Sequence, residues 1–223
     1  MSETQRKDLI QRSIAEGIIR SSEVGRAMRA VPRELFVPEN VRTSAYVDSP
    51  LTIGYIQTIS APHMVAMMVE ALELEVGQKV LEVGSGSGYH AAILAEIVAP
   101  RNVKEGGHDY TIEIVPELSV FARQNLASSG YHNRVSVILG DGSLGYPKAA
   151  PYDRILVTAA SPRILNTLVD ELKIEGILMI PVGGMYFYQE LMRVRKEPDG
   201  EIVTQRLFSV AFVPLTGKNG WKI

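Results

Sequence analysis

Val80-Leu81-Glu82-Val83-Gly84-Ser85-Gly86-Ser87-Gly88-Tyr89 reads as a buried strand that runs into a glycine turn and then a helix. Alternate glycines let the backbone pass close to a ligand and present amides at a helix start. The dinucleotide fingerprint G-x-G-x-x-G fails, because Tyr89 stands where its last glycine belongs. A Walker-type phosphate loop needs a Gly-Lys-Ser/Thr ending, which is absent. A nucleophile elbow would require serine in place of Gly86. What remains is E-x-G-x-G-x-G. By themselves these glycines are also compatible with nothing more than a tight turn.

Outward from that stretch, short apolar runs alternate with helical stretches. They run Lys79–Val83 then Ala91–Val98; Tyr110–Ile114 then Pro116–Ser128; Val135–Leu139; Arg154–Val157 then Arg163–Leu172; and Ile177–Pro181. Such alternation predicts a doubly wound, mostly parallel α/β sheet covered on both faces. Beyond Gly184, Tyr188–Arg195 and Arg206–Val213 flank the turn Glu197-Pro198-Asp199-Gly200 and predict antiparallel edge strands. Upstream, Leu9, Ile10, Ile14 and Ile18 keep helical spacing, Ser22 suits the cap of a second helix, and Val65, Met68, Val69 and Leu72 form a third stripe. Leu51–Ser60 is too irregular and polar for a core element. Pro100–Gly107 lengthens one connection and reads as a surface insertion.

Composition narrows the classes. The 223 residues are 46% hydrophobic and 22% charged, enough for one large domain with a full core. Cysteine is absent, which excludes disulfides, thiolate zinc sites and iron–sulfur clusters. With 23 basic and 25 acidic residues, the net charge is −2, which argues against nucleic acid held mainly by a basic surface. The polar start lacks the apolar core of a signal peptide, and no apolar run approaches the ~18 residues of a membrane span. The expectation is a cytoplasmic chain with no membrane partner. No long exposed apolar stripe is legible, which favours a monomer.

Two carboxylates close the next two strands. Glu113 ends Tyr110-Thr111-Ile112-Glu113, where an acid can accept from the vicinal hydroxyls of a ribose, and Asp141 ends Val137-Ile138-Leu139-Gly140-Asp141-Gly142, placed for an adenine amino group. Either alone would serve equally as a helix cap. Together with the glycine turn they line the carboxyl ends of successive strands, where open α/β sheets bind ligands. The E-x-G-x-G-x-G stretch resembles motif I of the S-adenosylmethionine-dependent methyltransferases.

A narrower resemblance follows from Asp48-Ser49-Pro50-Leu51 and Gln57-Thr58-Ile59-Ser60-Ala61-Pro62-His63-Met64, which are similar to the signature of protein-L-isoaspartate O-methyltransferases. Val31–Pro38, Gly140–Gly142 with Gly145–Pro147, Ala150–Asp153, Ile180–Gly183 and Phe212–Thr216 extend the likeness from about residue 8 to the C-terminus. Many bacterial relatives carry glycine at the position of Ile56, a departure that bears on local loop flexibility.

The resemblance implies a single Rossmann-like methyltransferase domain over 1–223. Its parts would be a helical extension and substrate loop over 1–75, a cofactor-binding core over 76–184 and edge strands over 185–223, with the order of the last two strands open. It implies methyl transfer from S-adenosyl-L-methionine, leaving S-adenosyl-L-homocysteine, to the free α-carboxylate of L-isoaspartyl residues in damaged proteins and peptides. The ester then closes to a succinimide and partly reopens to aspartate. The cofactor residues implied are Glu82, Gly84, Ser85, Gly86, Gly88, Glu113, Asp141, Gly142 and Thr216. Ser60 is the implied catalytic residue, a positioning donor, with Thr58, Ile59 and His63 placing the substrate. A helix-start role suits His63 equally, and strand termination suits Thr216.

The chemistry agrees with what the sequence lacks. A carboxyl with a pKa near 4 is ionised at neutral pH, so no strong base is required. Alignment and exclusion of water are the main tasks. His90, His108 and His132 form no ligand-spaced pair, so no metal is expected. Met64, Met67 and Met68 read as core, and Tyr186-Phe187-Tyr188 as edge-strand packing. Two other readings stay open: a methyltransferase of RNA or a small molecule, and a non-catalytic S-adenosylmethionine-binding module. Against the nucleic-acid reading, Thr158-Ala159-Ala160-Ser161-Pro162 stands where an Asn/Asp-Pro-Pro-aromatic box belongs.

Overall fold

A computed structural model describes residues 2–222. Its N-terminal helices are α1 (Ser2–Ala15), α2 (Ser22–Ala30) and α3 (Pro62–Leu72). Leu9 and Ile10 bury one face of α1, but Ile14 is exposed and Ile18 lies beyond the helix end. The cap of α2 is Ser21, one residue before the predicted Ser22, because it is the Ser21 hydroxyl that accepts from the Val24 amide at 3.2 Å. Glu70 of α3 accepts from the Arg20 amide, the Ser21 amide and the Ser21 hydroxyl at 2.9 to 3.0 Å, which locks the two helices together.

Leu51–Ser60 does contain regular structure. β1 (Leu51–Gly54) and β2 (Gln57–Ile59) form a separate two-stranded antiparallel hairpin. Only Ile53 and Ile59 turn inward, so its polar residues remain at the surface and along the site.

The central sheet holds β3 (Lys79–Val83), β4 (His108–Glu113), β5 (Val135–Leu139), β6 (Tyr152–Val157), β7 (Leu172–Gly183), β8 (Gln189–Lys196) and β9 (Ile202–Val210), in the order β5-β4-β3-β6-β7-β8-β9. The first five strands in that order are parallel, whereas β8 and β9 are antiparallel additions with β9 at the edge. That placement answers the open order of the last two strands. Successive strand residues go to opposite faces, as the pleat demands. Leu156, Ile177 and Met179 join the core beneath the N-terminal helices, while Ile155, Val157, Leu178 and Ile180 join the other.

Helices α4 (Tyr89–Val98), α5 (Pro116–Ser128) and α6 (Asn166–Asp170) make the crossovers. All ten residues of α4 are buried. The Arg26 guanidinium of α2 donates to the Glu96 carboxylate and carbonyl of α4 at 3.1 and 3.0 Å, tying the extension to the core. The predicted helix Arg163–Leu172 shrinks to the five residues of α6, and β7 starts earlier than the predicted Ile177. The cause is a bulge: Tyr152 pairs with Leu172 but Arg154 with Ile177, with Glu175 in the left-handed region between them. β9 likewise lies several residues before the predicted Arg206–Val213. The insertion Pro100–Gly107 is a turn between α4 and β4 whose residues 101–106 are exposed, as expected of a surface insertion.

Strand order reverses at β3: the chain moves outward through β4 and β5, then returns to place β6 on the other side. Ligands of open sheets bind at such a switch point, beyond the carboxyl ends of the strands.

Candidate active site

The glycine turn leaves β3 at that switch point. Gly84, Gly86 and Gly88 all have positive φ, at 101°, 51° and 85°. Thr158, which follows β6, donates its hydroxyl to the Gly84 carbonyl at 2.8 Å and to the Val83 carbonyl at 3.1 Å. A methyl group on Gly84 would collide with that hydroxyl, so only glycine lets the two strand ends meet here. The Gly86 amide donates to the Glu113 carboxylate at 2.8 Å, and the Val115 amide donates to its other oxygen at 3.0 Å.

A cavity opens above the turn. Of the residues singled out in the sequence, Gly84, Ser85, Gly86, Glu113, Gly142 and Thr216 line it, and so do Thr58, Ile59 and Ser60 of the hairpin and its exit. Glu113 is almost fully buried there.

Three predicted cofactor residues do not line this cavity. Glu82 points away from the cavity, since it alternates with Leu81 and Val83 along β3, and is fully buried beneath the loop. There it accepts from the Thr111 hydroxyl at 2.5 Å, and Thr111 meets the Ser85 hydroxyl at 2.7 Å, so Glu82 supports the loop from below. Gly88 caps α4 and keeps the turn tight against Leu126 of α5. Asp141 is engaged by its own surroundings: the Ser143 amide and hydroxyl donate to one oxygen at 2.9 and 2.6 Å, and the Lys218 amide to the other at 2.7 Å. It fastens the C-terminal segment beside the cavity, and neighbouring Gly142 provides the wall.

Burial governs the titration of this region. Glu82 is raised well above the ordinary carboxylate range by desolvation and by neighbouring Asp109. Asp109 is raised too, by desolvation, and neither of its oxygens has a hydrogen-bond partner. His90 also lines the cavity, and burial, helped by the Arg33 charge, pushes it down to about 3. It is therefore neutral at physiological pH. Among the described residues no cluster of three or more His, Cys, Asp or Glu side chains is arranged to hold a metal ion.

A second cavity adjoins the first. Thr58, Ser60, Thr158 and Val213 line both. His63 lies only in the second. Its amide and Nδ1 both meet Asp48 Oδ1 at 2.9 Å, which fixes the ring and leaves Nε2 unpaired with Asp48. Sequence reasoning missed the cavity residues Ile114, Val115 and His90, whose apolar or isolated character carries no signal. Thr158 was quoted only for a motif it fails to make.

The family model for protein-L-isoaspartate(D-aspartate) O-methyltransferase matches residues 4–220. A protein-L-isoaspartate O-methyltransferase of Hyperthermus butylicus is 56% identical, covering 97% of this chain and 90% of that one. Its counterpart in Ignicoccus hospitalis is also 56% identical, covering 96% and 98%. A Plasmodium falciparum chain described as a protein-L-isoaspartate O-methyltransferase, solved in complex with S-adenosyl-L-homocysteine, superposes with a TM-score of 0.81 at 28% identity and covers 95% of this chain and 98% of that one.

Proposed function

The chain belongs to the protein-L-isoaspartate O-methyltransferase family, and from that membership we propose how its own residues divide the work. It transfers a methyl group from S-adenosylmethionine to the free α-carboxylate of L-isoaspartyl residues in damaged proteins, which starts their repair through a succinimide. The glycine cradle closed by Thr158 and the buried acid at its rim suit a nucleoside-bearing cofactor.

In the proposed division, Glu113 binds the ribose. Two loop amides occupy part of its acceptor capacity, and a carboxylate has about four lone-pair sites, so two vicinal hydroxyls can still be accepted. Gly142 and Thr216 form the far wall of the cofactor cavity. When bound, S-adenosylmethionine supplies an electrophilic methyl on a sulfonium centre. The second cavity takes the acceptor, with His63 held by Asp48 at its side. Ser60, at the junction, holds the acceptor oxygen by its hydroxyl, and Ile59 and Val213 help to keep water away. Charge is lost as the methyl passes to the carboxylate, so alignment and dehydration favour the transition state. The next residue's amide nitrogen then attacks the ester carbonyl, methanol leaves, and water opens the succinimide.

The observation that carries this assignment is that Ser60 lines both cavities. Ser60→Ala is expected to lower kcat about 10–100-fold while changing cofactor affinity less than threefold. Equal loss of both would remove Ser60 from the junction role.

The same reading takes residues 1–223 as one methyltransferase domain, with 1–75 shaping the acceptor side, 76–184 the cofactor side and 185–223 the edge. It places the chain in the cytoplasm as a monomer without nucleic-acid or membrane partners. The net charge of −2 supports the absence of a nucleic-acid partner. No described helix is long and apolar enough to cross a membrane.

A further inference from the structure

Tyr186, Phe187 and Tyr188, expected to pack along an edge strand, instead stand 61%, 75% and 97% exposed in the turn between β7 and β8. Single exposed apolar residues are ordinary, but three consecutive aromatics form a patch that calls for a partner. The backbone beneath them is constrained. Tyr188 sits at φ 57°, a region that bulky residues avoid, and such strain persists where surrounding structure imposes it. A side chain on Gly183 or Gly184 would collide with the Tyr188 or Phe187 backbone, so the turn is tight.

Buried Gln189 joins this turn to the acceptor cavity. Its amide nitrogen donates to the Gly184 and Phe212 carbonyls at 3.2 and 3.1 Å, and its carbonyl accepts from the Phe212 amide at 2.6 Å. Phe212 lines the acceptor cavity, as does Val210, the cross-strand partner of Gln189. Gln189 thus ties the base of the aromatic turn to a residue of the acceptor wall.

We propose that Tyr186, Phe187 and Tyr188 dock apolar side chains of the polypeptide segment that carries the isoaspartyl residue. This rests on the assignment of the second cavity to the acceptor. A residue delivered into that cavity brings its chain neighbours with it, and a flexible or unfolded segment exposes apolar neighbours that a folded protein buries. Aromatic rings offer them large contact area at little conformational cost. The turn thereby selects unfolded protein over small or polar isoaspartyl compounds.

The test uses two isoaspartyl peptides of equal length, one flanked by Leu and Phe, the other by Ser and Gly. Their methylation is compared in the wild type, in Tyr186→Ser/Phe187→Ser/Tyr188→Asn and in Phe187→Ser alone. Asparagine tolerates the left-handed backbone at position 188. The wild type is expected to favour the apolar peptide about tenfold in kcat/KM, through KM. The triple variant should lose that preference while its kcat and KM for the polar peptide stay within twofold, and Phe187→Ser should fall between. Methylation of both peptides without preference in the wild type would overturn docking alone. So would equal loss on both peptides in either variant, or a loss of self-association in the triple variant with preference unchanged, which would assign the turn to a second copy of the chain. Failure to methylate either peptide would overturn the acceptor assignment and the docking with it.

Discussion

Glu113 accepts the Gly86 amide at 2.8 Å on one carboxylate oxygen and the Val115 amide at 3.0 Å on the other. A single side chain at the end of β4 thus fixes both the glycine turn and the exit of its own strand. The same carboxylate lines the cavity, so the turn geometry and the cavity wall depend on one group.

Glu113→Ala is therefore expected to weaken S-adenosylmethionine about 10–100-fold, the equivalent of ~1.5–3 kcal/mol for hydrogen bonds to a charged acceptor. Glu113→Gln should weaken it less, because the amide oxygen retains one acceptor. Titration calorimetry reads both, and unchanged affinity in the alanine variant would remove Glu113 from the cofactor site.

Gly84→Ala places a methyl group against Thr158 Oγ1 and holds alanine at φ 101°. Strain and overpacking together should cost about 2–4 kcal/mol, or roughly 5–15 °C in melting temperature for a chain of this length. Adding Thr158→Ala removes the collision but not the strain, so recovery should be partial. A melting temperature unchanged in the single variant would contradict the close approach.

Asp109 is buried without a partner on either oxygen, and its carboxyl is held above the ordinary range. A raised carboxyl favours the native state below its unfolded pKa near 4, and that contribution is lost as pH rises toward the folded value. Asp109→Val should therefore be more stable than the wild type by about 1–3 kcal/mol at pH 8, with the difference shrinking toward pH 4. Urea unfolding at several pH values measures it. A variant less stable at every pH would show that the buried carboxyl is structurally required.

Where strand, turn and helix coincide, the sequence was easy to read. The bounds of β3, α5 and β5 agree residue for residue with the periodic runs. The bulge at Glu175 was not legible, since its polar residues resemble a break between helix and strand. The hairpin over Leu51–Ile59 was hidden for another reason. Tyr55 and Ile56 both take positive φ, where Asn and Gly are the usual turn residues, so the local chemistry gave no hairpin signal.

Site residues divided in the same way. That Glu113 lines the cavity was legible because a strand end has a fixed relation to the switch point. The place of Glu82 was not legible, because the motif puts it next to the loop while the pleat turns it underneath. Asp141 faced the right region, but its partner Lys218 lies 77 residues away in sequence, beyond any local pattern.

In the proposed division of the site, the two cavities meeting at Ser60 carry a methyl group from S-adenosylmethionine to an isoaspartyl carboxylate. Its most direct test is transfer of labelled methyl to two peptides that differ only in having an L-isoaspartyl or a normal aspartyl linkage. Base-labile label is expected on the isoaspartyl peptide alone. Label on both peptides, or on neither while cofactor still binds, would contradict it.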